Sequence, residues 1–482
     1  SYEEAASVEA DGSEEKTGAD GEITVTKERP APLISSVAAL DFPDVSHTQL
    51  ANGMRLHYAQ RDAVPATYVT LSFDAGSAAD PADKRGLEGL ALDLFDEGTE
   101  TMSSQEIAEA RERLGAEISL GGGADRSTFT LSALSANLVP SLELLADIVR
   151  DPALDQGELE RLRTRALTGI EQQLKTPQSI AARTLTPLIY GKDSPYAGPD
   201  SGTAASVGAL TRADIMTFKD RWIRPDNGEV FVVSDRPLAE IVSALNTAFG
   251  DWKAPAVAKG QKSFTSTTGA SDAAGRIILI NRPNSPQSYI LGGLLTPASA
   301  NDETYVDFLN ANNALGGNFL SRLNMNLRET KGWSYGVRGG AQTRQNAVAY
   351  TISAPVQQDR TGDALTELIR ETGEFLDTKG ISDAERTRIV AAEIGELPGQ
   401  FETSGSILSA MQSNALYGRP DNYYELLADR YRRQTSTSLD SAIRSAIDPE
   451  QFVWVVVGDA SKVRSQLDAV GLPVEVREMS GN

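Results

Sequence analysis

The elements predicted along this chain occur twice in the same order, and this internal repeat constrains the fold more than any other feature of the sequence. The first set is an alternating apolar strand, two helices and a closing strand, at 68–73, 86–95, 139–149 and 229–235. The second set repeats this order at 288–295, 305–315, 363–377 and 452–459. Within the first set, the Pro-punctuated segment 175–210 predicts a break in the helical pattern. Two copies of one plan predict two similar domains.

Composition places the boundaries of these two copies. Residues 1–36 are rich in Glu, Asp, Gly and Ala and have few large apolar side chains, which is typical of an acidic linker or a disordered arm. Residues 254–275 consist mainly of Lys, Ser, Thr, Gly and Ala and predict an interdomain linker. We therefore expect an N-terminal domain at 37–253 and a C-terminal domain at 276–482, both with an α+β fold.

Charge and composition exclude several classes of function. The formal net charge of −22, with no cluster of Lys or Arg, argues against nucleic acid as a partner, whereas a cationic or neutral peptide is compatible with it. No apolar run approaches the roughly 18 residues of a membrane span. The chain has no cysteine, which excludes disulfides, thiolate metal sites and a cysteine nucleophile but is silent on the compartment.

The start of the sequence bears on localisation. The chain begins with Ser rather than Met, and no apolar targeting segment follows, so we interpret it as a trimmed or processed form. The compartment itself is unknown from the sequence. We favour the bacterial periplasm or another exported compartment over the cytoplasm.

The only two histidines flank a turn. His47 and His57 lie on either side of Asn52-Gly53, a dipeptide that predicts a hairpin with one histidine on each strand. A two-histidine zinc site across a hairpin is conceivable, but no acidic third ligand is obviously placed to complete it. We therefore expect exposed or half-buried strand histidines.

The stretch 315–337, LGGNFLSRLNMNLRETKGWSYGV, predicts a helix that turns into a strand. Gly316-Gly317 is expected to open the helix, with Asn318 as a plausible cap, because leucines follow at helical spacing. Gly332 is expected to end it before Tyr335 starts an extended run.

Arg328 and Tyr335 are the candidate functional pair in this stretch. A helix followed directly by a strand could aim the guanidinium and the phenol at one point, and two such donors suit a carbonyl oxygen that becomes an oxyanion. A surface Arg and a Tyr packed at a strand edge fit the same spacing, and the spacing alone favours that simpler interpretation.

Four phrases in order then carry a family resemblance: RGLEGLALDLFDEGT at 85–99, the segment 194–227, the stretch 315–337 and VVVGD at 455–459. With the internal repeat, they resemble the pitrilysin/insulinase family of zinc peptidases, which have an inverted H-x-x-E-H motif and include the mitochondrial processing peptidase. The resemblance covers nearly everything after residue 42. It implies two homologous α/β-sandwich domains that form half of a clamshell.

The family's metal motif falls inside 86–99, and its residues are absent. The alignment implied by the resemblance places the first His on Gly89, the catalytic Glu on Leu92 and the second His on Asp93. In the motif, the two imidazoles hold zinc and the Glu accepts a proton from the bound water. The third ligand is expected to be a Glu, for which Glu171 is the candidate. We therefore predict that this chain binds no zinc of its own and that zinc belongs to a partner.

The acidic residues near that helix suggest a carboxylate-based hydrolase as an alternative. They are Glu88, Asp93, Asp96 and Glu97. General acid/base pairs need a partly desolvated cleft, whereas these carboxylates are spread around one helix. We interpret them as a solvated face.

The resemblance changes the interpretation of Arg328 and Tyr335. In the family, an Arg and a Tyr at these positions reach the active site of the zinc-bearing half and hydrogen-bond the carbonyl of the scissile peptide. The resemblance thus implies a non-zinc-binding subunit of a heterodimeric zinc metallopeptidase, inactive alone, whose homologous partner has an intact H-x-x-E-H motif and whose substrate is a peptide.

Three alternatives stay open at this point. The chain could be the second half of a longer precursor whose N-terminal half carries the zinc. It could also be a catalytically inactive scaffold of the same fold, although a scaffold has no chemical need for Arg328 and Tyr335. A peptide-binding member with no catalytic partner is the third.

Overall fold

The computed structural model describes residues 40–264 and 272–478. The predicted acidic arm at 1–36 lies outside the described residues, as does the part of the predicted linker at 265–271. The described residues belong to one compact unit, so contacts between the two halves of the chain can be stated directly. None of the helices described is both long enough and apolar enough to cross a membrane.

The first half alternates strands and helices. Its elements are β1 (Val45–Gln49), β2 (Arg55–Gln60), β3 (Ala66–Phe73), α1 (Leu87–Phe95), α2 (Ser104–Leu114), β4 (Glu117–Gly122), β5 (Ser127–Leu134), α3 (Leu138–Arg150), α4 (Gln156–Gln173), α5 (Pro177–Tyr190), α6 (Ala204–Ala209), α7 (Arg212–Trp222), β6 (Gly228–Ser234) and α8 (Leu238–Phe249).

The second half repeats much of this order. Its elements are β7 (Arg276–Asn281), β8 (Gln287–Thr296), α9 (Tyr305–Asn312), α10 (Arg322–Asn324), β9 (Arg338–Arg344), β10 (Ala347–Gln357), α11 (Thr361–Leu376), α12 (Asp383–Gln400), α13 (Ser404–Tyr417), α14 (Leu427–Arg433), α15 (Ser436–Ala446), β11 (Val453–Gly458), α16 (Ala460–Asp468) and β12 (Val474–Glu478). Two of its helices continue as π-helical turns, α9 through Asn313–Gly317 and α10 through Met325–Thr330.

Within the described residues, the strands form two six-stranded sheets of matching topology. Their orders are β1-β2-β6-β3-β5-β4 and β12-β7-β11-β8-β10-β9. In both, a parallel pair (β2 with β6, β7 with β11) is followed by an antiparallel run. The α+β fold with two homologous domains is therefore confirmed.

The centre of the closing strand of each sheet is apolar because both of its faces are buried. In β6, Val230 and Val232 pack on the helices of the first half, whereas Phe231 and Val233 face the opposite way. In β11, Trp454 packs among the helices of the second half. The apolar run in such a strand is continuous rather than alternating, and the polar residues of β6, Glu229 and Ser234, lie near its ends.

Each half covers the far face of the other half's sheet with one helix. Helix α5 packs its apolar side chains on β8 and β11 of the second sheet, and Gly293 is required there because a Cβ would lie 2.7 Å from Leu185 Cδ2. Helix α13 packs Ile407, Leu408 and Met411 on Phe231 and Val233 of the first sheet. This exchange of helices ties the two halves together through apolar burial, the dominant favourable term in folding.

Helix α5 corrects the prediction of a break in the helical pattern at 175–210. Pro177 occupies the first turn, where its missing N–H costs nothing, and the second proline, Pro187, is tolerated within the helix. Burial of Ile180, Leu185 and Ile189 against the second sheet outweighs the local cost of Pro187.

Candidate functional site

Helix α1 carries the positions of the metal motif. The helix follows Gly86, which has a left-handed φ of 88°, and its first turn is held by Asp80. The two carboxylate oxygens of Asp80 accept hydrogen bonds from the Gly86 and Glu88 backbone N–H groups, both at 2.9 Å. Burial raises the pKa of Asp80 to about 7 in spite of these bonds.

The residues at the motif positions do not fit a zinc ion. Gly89 has no side chain and faces open space, and Leu92 is an apolar core residue with 4% exposure. Asp93 lies on the exposed face, although neighbouring groups desolvate its carboxyl in part and raise its pKa. Glu171, the candidate third ligand, is exposed on α4 and bonds Lys175 at 2.7 Å. A catalytic zinc needs three protein ligands, and the motif positions on α1 offer one carboxylate.

Across the described residues, no group of three or more His, Asp or Glu side chains is placed to hold a metal ion. The kinds of side chain at the motif positions therefore argue against a zinc centre on α1.

Glu88 corrects the interpretation of the acidic residues as a solvated face. Its side chain is buried, with 4% exposure, and accepts a hydrogen bond from Ser127 Oγ at 2.7 Å. Gly122 makes room for it, since a Cβ at that position would lie 2.1 Å from Glu88 Oε1. Burial, and to a lesser degree the charge of Asp80, raise the pKa of Glu88 to about 8. Glu88 is thus largely protonated at neutral pH.

The other acidic residues of this helix end have ionic partners. Asp96 pairs with Arg111 of α2, and Glu97 pairs with Arg161 of α4. These pairs attach α1 to its neighbours at the protein surface, where an ion pair contributes little to stability. Together with the burial of Glu88, they leave no pair of free carboxylates in one cleft for general acid/base chemistry.

The helix predicted to open at Gly316-Gly317 instead ends there. Helix α9 runs on as a π-helical turn through Gly317, and Asn318 is extended. Gly316 permits close contact with β9, because a Cβ would lie 2.7 Å from Gly339 N. The next helix starts after Ser321, so Asn318 is not its cap. Its side chain instead accepts a hydrogen bond from Leu320 N at 2.9 Å.

A buried asparagine positions the segment that follows. Asn324 has 3% exposure, and its amide donates to Phe319 O at 2.7 Å while its Oδ1 accepts from Val337 N at 3.0 Å. Ser334 Oγ donates to Pro355 O at 2.6 Å. These bonds fix both ends of the stretch. Sequence reasoning did not single out Asn324, whose long-range partner Val337 is not visible in any local pattern.

Tyr335 lies in a loop and does not start a strand. The π-helical turn ends at Thr330, Gly332 follows with a φ of 67°, and β9 begins only at Arg338. The Tyr335 side chain is 86% exposed, and nothing in the described part of the chain hydrogen-bonds its hydroxyl. Gly332 thus ends the helix as predicted, but the chain takes an irregular path before it pairs.

Arg328 lies on the last turn of the same helix. Its guanidinium stacks over the Phe319 ring at 4.6 Å from the centroid, and its Nε lies 3.2 Å from Glu329 Oε1. Phe319 and Leu320 are also exposed, by 54% and 50%. Among the described contacts, none joins Arg328 to Tyr335. We call the exposed side chains Phe319, Leu320, Arg328 and Tyr335 of this stretch the donor patch, since they include two hydrogen-bond donors and apolar groups.

Comparison with known proteins agrees with the fold and the sequence motifs. Residues 57–195 match the insulinase family (peptidase family M16), and residues 209–393 match the family described as the peptidase M16 inactive domain. The two matches lie one in each half of the chain. The chain therefore belongs to the pitrilysin/insulinase family, as the sequence predicts.

Several relatives span nearly the same length. An uncharacterized zinc protease of Mycobacterium tuberculosis is 24% identical over 440 residues, which is 90% of this chain and 96% of the relative. The uncharacterized zinc protease YmxG of Bacillus subtilis is 23% identical over 76% of this chain and 86% of its own.

Solved structures resemble the chain in fold. The peptidase M16 inactive domain from Pseudomonas fluorescens has a TM-score of 0.78 at 24% identity and covers 86% of this chain and 98% of its own. A protease from Helicobacter pylori has the same TM-score at 16% identity, with coverage of 86% and 99%. The chain thus has the fold of these M16 proteins.

Proposed function

We propose that this chain is the non-zinc-binding subunit of a heterodimeric zinc metallopeptidase. The observation that supports the proposal is that Arg328 and Tyr335 of the donor patch, which the resemblance aligns with the family's Arg and Tyr, are both open to solvent. The motif positions on α1 carry no zinc-ligand set, so the metal and the catalytic Glu would come from a homologous partner. That partner is either a separate subunit or an N-terminal half from the same precursor.

In this role the chain supplies two donors of different strength. The Arg328 guanidinium is permanently charged and carries several N–H groups, and the Tyr335 hydroxyl is a neutral donor. Both would donate to the carbonyl oxygen of the scissile peptide and would bind it more tightly as negative charge develops there. The bonds of Asn324 hold the loop in place before substrate arrives, which lowers the cost of orienting the donors.

The substrate would be a peptide in extended form. Strand β4 ends the first sheet and pairs only with β5 among the described strands, so its other edge can accept a further strand. The net charge of −22 favours a neutral or cationic peptide.

A scaffold or peptide-binding member without catalysis is the second candidate. The exposed Phe319 and Leu320 favour it to the extent that they suit any protein contact. The two candidates differ in what they require of Tyr335 and Arg328. A scaffold can lose the donors and keep its assembly, whereas the peptidase subunit cannot lose them and keep turnover.

The decisive experiment starts with the natural, untagged protein. We expect a second chain with an intact H-x-x-E-H motif to co-purify, or to be required when added back, and only the mixture to cleave peptides. In the mixture, Arg328→Ala should lower turnover roughly a hundred- to a thousandfold, as loss of one oxyanion donor does elsewhere. Arg338→Ala, which removes an exposed cation from the adjacent strand β9, is the matched control.

Two results would contradict the proposal. One is peptide cleavage by this chain alone. The other is an assembled pair whose turnover is the same with Arg328→Ala as with the native residue, and this second result would favour the scaffold.

A further inference from the structure

The chain's only two histidines face each other across the β1–β2 hairpin. His47 and His57 are directly opposite in the register of the two strands, as the sequence predicts. Their Nδ1 atoms lie 3.1 Å apart, and the rings stand at 90° with centroids 5.0 Å apart. The functional site described above does not use either residue.

The far nitrogen of each ring lies against a carboxylate. His47 Nε2 is 2.7 Å from Asp421 Oδ2, and His57 Nε2 is 3.2 Å from Glu229 Oε2. A carboxylate can only accept, so the 2.7 Å contact assigns a hydrogen to His47 Nε2. The contact of His57 Nε2 with Glu229 is ionic and lacks hydrogen-bond geometry. When both neutral rings carry their hydrogen on Nε2, the two Nδ1 atoms present lone pairs to each other.

Glu229 is held beside the His57 ring by a cationic partner. Arg55, which comes from the same strand as His57, pairs with Glu229 Oε1, while Glu229 Oε2 faces His57. The carboxylate is thus positioned next to the His57 ring.

Two Nδ1 atoms at this distance are joined either by a proton, as a hydrogen bond from one ring to the other, or by a metal cation that binds both. A tetrahedral zinc ion with Zn–N bonds of about 2.0–2.1 Å holds two ligand nitrogens about 3.3 Å apart, close to the observed separation. A carboxylate on the far nitrogen of a ligating histidine is also the arrangement that orients imidazoles in metal sites. Both features occur here together.

We propose that His47 and His57 bind one divalent transition-metal ion, zinc or copper, through their Nδ1 atoms, and that Asp421 and Glu229 orient the two rings. Imidazole nitrogens suit both ions. The His47 side chain is 49% exposed, which leaves room for water to fill the remaining coordination positions. With two protein ligands, the ion would bind more weakly than in a four-ligand structural site.

The ion would also join parts of the chain that are far apart in sequence. Asp421 belongs to the turn after α13 in the second half, 374 residues from His47. Because of that separation, no local pattern indicates a carboxylate next to the histidines. The site is separate from the motif positions on α1, and it adds stability to the contact between the hairpin and the second half rather than peptidase activity.

Zinc chloride and the untagged, chelator-stripped full chain provide the test. Calorimetric titration should show one equivalent of zinc bound, and zinc should raise the melting temperature. His47→Gln and His57→Gln should each remove the binding. Asp421→Asn keeps both ligands and should weaken binding about 10- to 100-fold, as loss of an orienting carboxylate does. Gln49→Ala, at the end of β1, is the matched control with unchanged affinity.

Copper provides an independent count of the ligands. One equivalent of Cu²⁺ should give an electron paramagnetic resonance spectrum with coupling to two nitrogens, reduced to one in either His→Gln variant. Melting curves in the presence of chelator establish that each variant is folded. The proposal is overturned if the folded native chain takes up no zinc, if uptake persists in the histidine-free double variant, or if nitrogen-15 spectra show a proton between the Nδ1 atoms that millimolar zinc does not displace.

Discussion

The two halves of the molecule build the same connection, from a second helix to an edge strand, in different ways. In the first half, α2 ends at Leu114, Gly115 adopts a φ of 60°, and β4 starts at once. In the second half, Gly332 ends the helix with almost the same backbone angle, but the chain runs on through 333–337 before β9 begins. The added loop carries Tyr335.

The helices before these connections differ as well. Helix α2 is regular, starts with a capping box and pairs its Arg111 with Asp96. Its counterpart in the second half becomes a π-helical turn over Met325–Thr330, a geometry that is often found at functional sites. There Arg328 stacks on an exposed ring. The shared fold thus pairs Arg111 with a carboxylate within the first half, whereas it leaves the Arg328 and Tyr335 donors of the second half exposed to solvent.

The largest expected effect is on turnover, through the Tyr335 hydroxyl in the loop that only the second half has. Tyr335→Phe keeps the ring and removes the hydroxyl, so in the assembled peptidase we expect turnover to fall roughly a hundredfold or more while the Michaelis constant changes little. Steady-state kinetics on the reconstituted pair measures this. Arg111→Ala, on the corresponding helix of the first half, should leave turnover unchanged. Equal losses in both variants would erase the functional difference between the halves.

The second prediction concerns how tightly α9 approaches its sheet. Gly316→Ala places a Cβ 2.7 Å from Gly339 N and 2.8 Å from its Cα, so we expect a loss of about 1–3 kcal/mol in the free energy of unfolding. Denaturant melts report it. Gly340→Ala, where a Cβ meets nothing within 4 Å, is the control and should stay within about 0.5 kcal/mol of the native protein. A harmless Gly316→Ala would mean that the close approach is not required.

Much of the fold could be predicted because the repeated elements are strongly patterned. The central strands β3, β6, β8 and β11 and most of the helices between them lie where the apolar pattern places them. Helix α5 was missed because its prolines look like breakers locally, while the sheet that buries it belongs to the other half of the chain. Local patterns cannot report such an exchange.

The candidate site was predictable only in part, for the same reason. The local pattern singles out Arg328 and Tyr335, and the family resemblance gives them a role, whereas the π-helical turns and the role of Asn324 depend on distant backbone groups. Glu88 was assigned to the surface because helical spacing does not reveal that Gly122, on a neighbouring strand, leaves room for its carboxyl. Pairing between elements, rather than local propensity, decides these positions.

The third prediction concerns the buried carboxyl groups of Glu88 and Asp80 near α1. Helix α9, at the corresponding place in the second half, buries no carboxyl group among its described residues. Helix α1 buries Glu88, whereas α9 buries the amides of Asn310 and Asn312, which do not titrate. Because the pKa of Glu88 rises from 4.5 to about 8 on folding, the folded state binds more protons between these values, and stability falls as the pH increases through that window. Asp80 adds to this slope up to about pH 7.

Glu88→Gln should therefore flatten the pH dependence and raise the free energy of unfolding at pH 8 by about 1–3 kcal/mol. Chemical denaturation at pH 5, 6.5 and 8 measures how the free energy of unfolding changes with pH. A smaller pH dependence should remain in Glu88→Gln, because Asp80 is still present. Glu100→Gln changes an exposed carboxylate and serves as the control. If Glu88→Gln and the native protein showed the same pH dependence of the free energy of unfolding, the buried Glu88 carboxyl would not account for a difference between α1 and α9.

The smallest expected effect tests the first motif position and reverses the sign seen at Gly316. Gly89 lies in the exposed middle of α1, and a Cβ there meets nothing within 4 Å. Gly89→Ala should therefore raise the free energy of unfolding by about 0.5–1 kcal/mol, because alanine loses less backbone entropy in a helix. Turnover of the assembled pair should not change, since this position offers no ligand. If Gly89→Ala instead lowered turnover while the fold was stabilised, the face of α1 at Gly89 would have to contact substrate or partner, and the first half would share in the site.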